Sequence, residues 1–129
     1  PPTSRDIIFI HLLLNFDKEL SIVEGAFDAI TAGPNSVPLL GSTLREDSKL
    51  FHEIVNNDTP VYVALDPDAE KKAMRLIKNL LEYGIEVYKV NIAPFSDVGE
   101  MSRDEYSKRK QKAEIMDKDN YLLREIMKI

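Results

Sequence analysis

The run Val61-Tyr62-Val63-Ala64-Leu65-Asp66-Pro67-Asp68 does most to limit how this chain can fold. Five mostly apolar residues, β-branched and aromatic ones among them, pass straight into two carboxylates. A short apolar run of this kind reads as a buried strand of a parallel sheet. From Ala69 to Tyr83, Ala73, Leu76, Ile77, Leu80 and Leu81 recur at helical spacing, and Gly84 supplies the stop. Asp66 and Asp68 therefore lie where a strand ends and a helix begins. In open α/β sheets that carboxyl edge is where ligands bind. Two carboxylates one residue apart on such an edge suit a hard cation that keeps positions open for phosphate. The simpler reading makes Asp68 a helix cap and Asp66 a solvated turn residue.

The remainder of the chain alternates in the same way. Thr3 or Ser4 caps an apolar helix over about 4–15, in which His11 reads as a partly buried core histidine. Leu20 to Val23 is a first buried strand ending at Glu24-Gly25. Ala26 to Ala32 is a short helix expected to turn Phe27 and Ile30 toward the sheet. Gly33-Pro34-Asn35 is a turn. Ser36 to Leu40 is a second strand, and Pro38, which has no N–H for the ladder, puts it at a sheet edge. Leu44 to Val55 is a second helix with His52 on its outer side. Ile85 to Val90 alternates apolar and charged residues, the pattern of a fourth strand near an edge. Ser102 and Glu105, at capping-box spacing, open a charged helix expected to run to about Met116. Tyr121 to Met127 is a last short helix.

Strands alternating with helices argue an α/β fold with a parallel sheet and right-handed crossovers. With the second and fourth strands at the edges, the order is 2-1-3-4. That order brings Glu24 beside Asp66 and Asp68. Three carboxylates in one crevice raise one another's pKa, and a divalent cation removes the repulsion. Gly25 lets backbone N–H groups approach an anion. The structural alternative is that Glu24 merely stabilises the helix terminus that follows it.

Composition narrows the function classes. The 129 residues suffice for one domain with a core, and 43% hydrophobic with 30% charged residues is ordinary for a globular protein. The net charge of −5 will not draw the domain onto nucleic acid without a metal or a basic partner. There is no cysteine, hence no disulfide and no thiolate metal site. No apolar run reaches the length of a membrane span. No signal peptide is apparent. The start Pro1-Pro2 suggests a processed or excised piece of something larger. Lys108, Arg109, Lys110 and Lys112 form the dense basic cluster. It reads as a solvated helix face, the alternative being that it steers nucleic acid toward the crevice.

Ile22-Val23-Glu24-Gly25-Ala26-Phe27-Asp28-Ala29 resembles the first motif of the Toprim family. That is the catalytic domain shared by bacterial-type primases, type IA and type II topoisomerases, small nucleases and recombination-mediator proteins. Leu39-Leu40-Gly41-Ser42-Thr43-Leu44 resembles the glycine-bearing segment that follows in primases. Ala64-Leu65-Asp66-Pro67-Asp68-Ala69 resembles the second, Asp-x-Asp motif. The three occur in the family's order over about residues 20–92, and the Glu-Gly-x-x-Asp form is most similar to primases, those of phages included.

The resemblance implies a three-layer Rossmann-like fold, with a four-stranded parallel sheet in the order 2-1-3-4 and helices on both faces. Residues 1–129 would form a single Toprim-like domain with a core over about 20–92, an N-terminal helix over 4–15 and a C-terminal helical extension over 102–128. It implies that Glu24 acts as general acid or base and that Glu24, Asp66 and Asp68 form the set around Mg2+ or Mn2+. Asp28, Gly25 and Gly41 would support them. Lys71, Lys72 and Arg75 are candidates for phosphate. The implied activity is primase-type nucleotidyl transfer in a phage or bacterial replication protein, in the cytoplasm and away from membranes. Nucleotides and single-stranded DNA or an RNA primer would be met through the parent protein, alongside a template-binding module or helicase. Two departures stand out. Ala69-Glu70-Lys71-Lys72 replaces the small, often glycine-containing stretch with basic residues that follows the second motif in primases, and no zinc module or basic template-binding domain is present. A Toprim nuclease, a non-catalytic docking module and an unrelated receiver-like domain phosphorylated at Asp66 are the alternatives. The receiver reading lacks an obvious lysine partner at the end of a later strand.

Overall fold

The structure is a computed structural model that describes residues 14–40, 44 and 48–127, without the side chain of Asn120. The expected helix over 4–15 with His11 falls almost wholly outside the described residues, and Gly41 falls outside them too. Five strands form one sheet: β1 (Leu20–Val23), β2 (Ser36–Pro38), β3 (Val61–Ala64), β4 (Val87–Lys89) and β5 (Glu114–Met116). Their order is β2-β1-β3-β4-β5. The first four run parallel and β5 runs antiparallel to β4. The helices are α1 (Ala26–Ala32), α2 (Lys49–Asn56), α3 (Glu70–Glu82), α4 (Arg103–Gln111) and α5 (Lys118–Met127), with 3₁₀ turns at Pro67–Ala69 and Val98–Glu100.

Side-chain alternation along each strand divides the interior into two cores. Leu20, Ile22, Val61, Val63 and Val87 face one way, against Phe51 and Ile54 of α2 and Leu76, Ile77 and Leu80 of α3. Val23 and Ala64 face the other way, against Val98, Met101 and Tyr106. The central strands are buried along almost their whole length, which is why their sequence is apolar without interruption. Tyr106 of α4 crosses the second core and donates its hydroxyl hydrogen to Ser21 Oγ at 2.9 Å, so a buried hydroxyl on β1 keeps a partner.

The helix ends follow local chemistry. Ser48 Oγ accepts the N–H of Phe51 at 3.1 Å, and Ser102 Oγ accepts that of Glu105 at 3.0 Å. Gly84, at φ 77°, closes α3. Its N–H donates to the carbonyl of Leu81 and that of Ile85 to the carbonyl of Leu80, the two hydrogen bonds of a Schellman terminus.

The core order 2-1-3-4 and the edge position of β2 with Pro38 agree with the sequence reading. Several expectations are corrected. The charged helix ends at Gln111 and not near Met116, and Glu114–Met116 is a fifth strand paired with β4. The helix buries Tyr106 alone along its length, whereas Met116, in the strand, is 2% exposed. β4 is consequently not an edge. Phe27 and Ile30 do not face the sheet: they are 81% and 62% exposed. The small residues Ala29 and Ala32 pack against the second core instead, beside the buried Asp28. Helix α2 begins at Lys49, α5 begins at Lys118, and β2 stops at Pro38. His52 is exposed on α2, as expected.

Candidate active site

Strand register assembles the crevice. β1 pairs with β3 so that Val23 lies opposite Ala64. One step further along, both chains leave the sheet at its carboxyl edge, with Glu24 on one side and Leu65-Asp66 on the other. Pro67 then fixes the backbone for a 3₁₀ turn, and Asp68 rides on that turn, exposed. Neither aspartate caps a helix: the N-cap of α3 is Ala69, and Asp66 makes no side-chain cap. The capping alternative for Asp68 is thereby removed.

The carboxylates crowd one another. Asp66 has its pKa pushed up to about 6, first by burial and then by the negative charges of Asp28, Glu24, Asp97 and Asp68. Two oxygens here are buried without a hydrogen-bond partner, Oε2 of Glu24 and Oδ1 of Asp66. Leaving such an atom unpaired costs free energy, which a ligand can recover. The donors are hard oxygens, the kind that suits magnesium or manganese sharing its shell with water and phosphate. By donor chemistry, Glu24, Asp66 and Asp68 fit such an ion. Among the described residues, however, no three acidic or histidine side chains already converge as a ready cage. Oε1 of Glu24 is turned to Lys72 Nζ at 2.9 Å.

Asp28 lies on the first turn of α1 after Glu24, in the supporting place that the resemblance implies. It is 7% exposed and spends both oxygens on backbone: Oδ2 accepts the N–H of Gly25 at 2.9 Å and Oδ1 that of Gly99 at 2.7 Å. The carboxylate thus stabilises the start of α1 and ties it to the 3₁₀ turn Val98–Glu100. Glu24 does not serve that terminus, since Asp28 does. A Cβ on Gly25 would lie 3.4 Å from Asp28 Oδ2, an ordinary contact. One on Gly99 would lie 3.1 Å from Asp28 Oδ1 and 3.3 Å from Asp97 Oδ1. Gly99 is therefore a residue of the site that spacing alone does not reveal, because its partner stands 71 positions away. Asp97, from the loop after β4, is brought near Asp66 and accepts the N–H of Glu100 at 3.0 Å. Leu40 was also missed. It sits at φ 56°, a left-handed conformation costly for a branched side chain, and its N–H donates to the carbonyl of Glu24 at 2.8 Å.

The basic candidates separate. Lys72 reaches the crevice, whereas Lys71 and Arg75 are exposed along α3. Lys89, at the end of β4, pairs with Glu70 at 3.3 Å and not with Asp66, so the receiver-like reading gains no lysine. The cluster on α4 is largely committed to the fold. Arg109 donates Nε to Glu105 at 3.0 Å and Nη1 to the carbonyls of Asn91 and Ala93 at 3.1 and 2.5 Å, over the ring of Phe95. Lys110 pairs with Glu19 at 3.1 Å and covers the ring of Tyr62. Lys108 pairs with Asp104 at 3.7 Å. No helix among the described residues is long and apolar enough to cross a membrane.

Neither the protein-family models nor the curated proteins give a match to this chain. Solved structures do. The chain is similar to the Aquifex aeolicus primase (zinc-binding and RNA polymerase domains), at 22% identity and TM-score 0.64 over 83% of this chain and 28% of that one. It is also similar to a DnaG primase catalytic domain bound to single-stranded DNA, at 16% identity and TM-score 0.62 over 86% of this chain and 38% of that one. The chain thus spans well under half the length of these structures. At such identities the likeness is one of fold: the chain has an α/β fold like that found within these primase structures.

Proposed function

We propose that the chain is the metal-dependent nucleotidyl-transfer part of a primase-type replication protein, of bacterial or phage origin. The observation that supports it best is the pair of buried, unpartnered carboxylate oxygens on Glu24 and Asp66, from adjacent central strands. Glu24, Asp66 and Asp68 would hold magnesium or manganese. When bound, the ion supplies charge neutralisation for the transferring phosphoryl group, the main requirement of this chemistry. Glu24 would take the proton from the attacking hydroxyl, using the oxygen that Lys72 leaves unpaired. Asp28 holds Gly25 and Gly99 in place, and so fixes the walls of the crevice. Template and primer would be gripped by other parts of the parent protein, since this chain's net charge of −5 gives it little hold on DNA.

Incubating the parent protein with single-stranded DNA, ribonucleotides and magnesium tests this reading. Short primers that disappear with Asp66→Asn support it. Shortened template with no primer makes the site a nuclease, which uses the same carboxylates. A second reading, a docking module without catalysis, is favoured by the Lys72–Glu24 pair and by the lack of a preformed three-ligand cage among the described residues. It predicts no dependence of either product on Asp66.

A further inference from the structure

Lys72 stands in an electrostatically awkward place. It is the third residue of α3, where the helix dipole presents its positive end and disfavours a cation. Its side chain is only 19% exposed, so water compensates only in part. What compensates is Glu24, 48 positions earlier on another element, at 2.9 Å. The described ion pairs put no other cation on Glu24, Asp66 or Asp68: Lys89 is engaged by Glu70, and Lys110 by Glu19. Glu24 therefore has one oxygen committed to an ammonium and the other buried and unmatched.

We propose that the Lys72 ammonium is a built-in cation of the crevice. It holds Glu24 while the crevice is empty, yields that carboxylate to a divalent ion, and is then free to meet a substrate phosphate. The inference rests on the metal-dependent reading given above. Its physical core is competition. An ammonium and a divalent ion drawn to one carboxylate repel each other, and that repulsion is least screened where water is scarce. The absence of a ready three-ligand cage among the described residues then has a cause, because Glu24 is turned toward Lys72. Once released, the ammonium stays on the first turn of α3, directly after the Pro67–Ala69 turn that carries Asp68. There it can serve as a point-charge donor to phosphate oxygens, aided by the same helix end that makes its present position awkward.

The test is Mn2+ affinity, read by water-proton relaxation on the full-length protein, for wild type, Lys72→Met and Lys72→Gln, with Asp66→Asn as control. Removing the competing charge should tighten Mn2+ binding roughly tenfold. At saturating Mn2+, both Lys72 variants should bind nucleoside triphosphate more weakly than wild type. Lys72→Gln keeps a hydrogen-bond donor for Glu24 without the charge, and so separates charge from packing. If wild type binds Mn2+ and both variants bind it equally or less well, Lys72 merely supports Glu24; the inference is overturned while the metal reading stands. If no protein in the series binds Mn2+, the metal reading fails and takes the inference with it. Loss of the folded state in both variants makes the pair structural and overturns the inference as well.

Discussion

Oδ1 of Asp28 accepts the N–H of Gly99 at 2.7 Å, across the gap between α1 and the 3₁₀ turn that follows β4. Its other oxygen holds Gly25. The carboxylate is therefore a clamp between two walls of the crevice, made of charge-assisted hydrogen bonds from a nearly buried side chain.

Asp28→Ala should destabilise the protein by about 3 kcal/mol, since it orphans two backbone donors at once. Gly99→Ala should destabilise it too, because the added methyl meets the Asp28 carboxylate at 3.1 Å. Urea unfolding checks both. If the two single variants change stability by less than the spread of ordinary surface substitutions, ~0.5 kcal/mol, the clamp has no energetic weight.

How far the sequence revealed this architecture depends on whether the signal was local. The strand order was legible because Pro38 excludes β2 from the centre and the apolar run Val61 to Leu65 demands it for β3. Bringing Glu24 beside Asp66 followed from that order alone. The fifth strand was not legible, since Glu114-Ile115-Met116 is too short to announce itself after a charged helix, and its reason for existing is the free side of β4. The exposure of Phe27 and Ile30 was hidden for a related reason. A seven-residue helix has two plausible faces, and the tertiary bond from Asp28 to Gly99 selects between them. The roles of Lys72 and Gly99 are long-range contacts that no spacing rule reaches.

Asp66 yields a pH prediction. Its folded pKa of about 6 lies above the ordinary value, so the folded state binds the proton more tightly than the unfolded chain does. Stability from this group is present when it is protonated and is lost as pH rises toward and through about 6. Asp66→Asn should therefore stabilise the metal-free protein at about pH 7.5, with the gain shrinking toward zero near about pH 4. Thermal unfolding of the pair across that range checks it. A variant less stable than wild type at the upper end would mean that the carboxylate holds the structure together.

The basic cluster on α4 should divide by role. Arg109→Lys should cost about 1–2 kcal/mol, because a lysine cannot reproduce a guanidinium fork that bonds Glu105, Asn91 and Ala93 together. Lys108→Ala should stay within ~0.5 kcal/mol, since its 3.7 Å pair with Asp104 is exposed. Denaturant midpoints distinguish the two, and equal, small effects would return Arg109 to the solvated face.

The central claim is that the crevice between the ends of β1 and β3 is a metal-assisted phosphoryl-transfer site in which Glu24 moves the proton and shares the ion with Asp66 and Asp68, which still carry it when Glu24 is replaced. Glu24→Gln and Asp66→Asn, assayed side by side in the parent protein for primer synthesis and nucleotide affinity, test it most directly. The expected result is that Glu24→Gln lowers the rate by ~10²–10⁴-fold with little change in nucleotide affinity, while Asp66→Asn weakens metal and nucleotide binding together. Near wild-type activity with Glu24→Gln, or indifference to both substitutions, would contradict it.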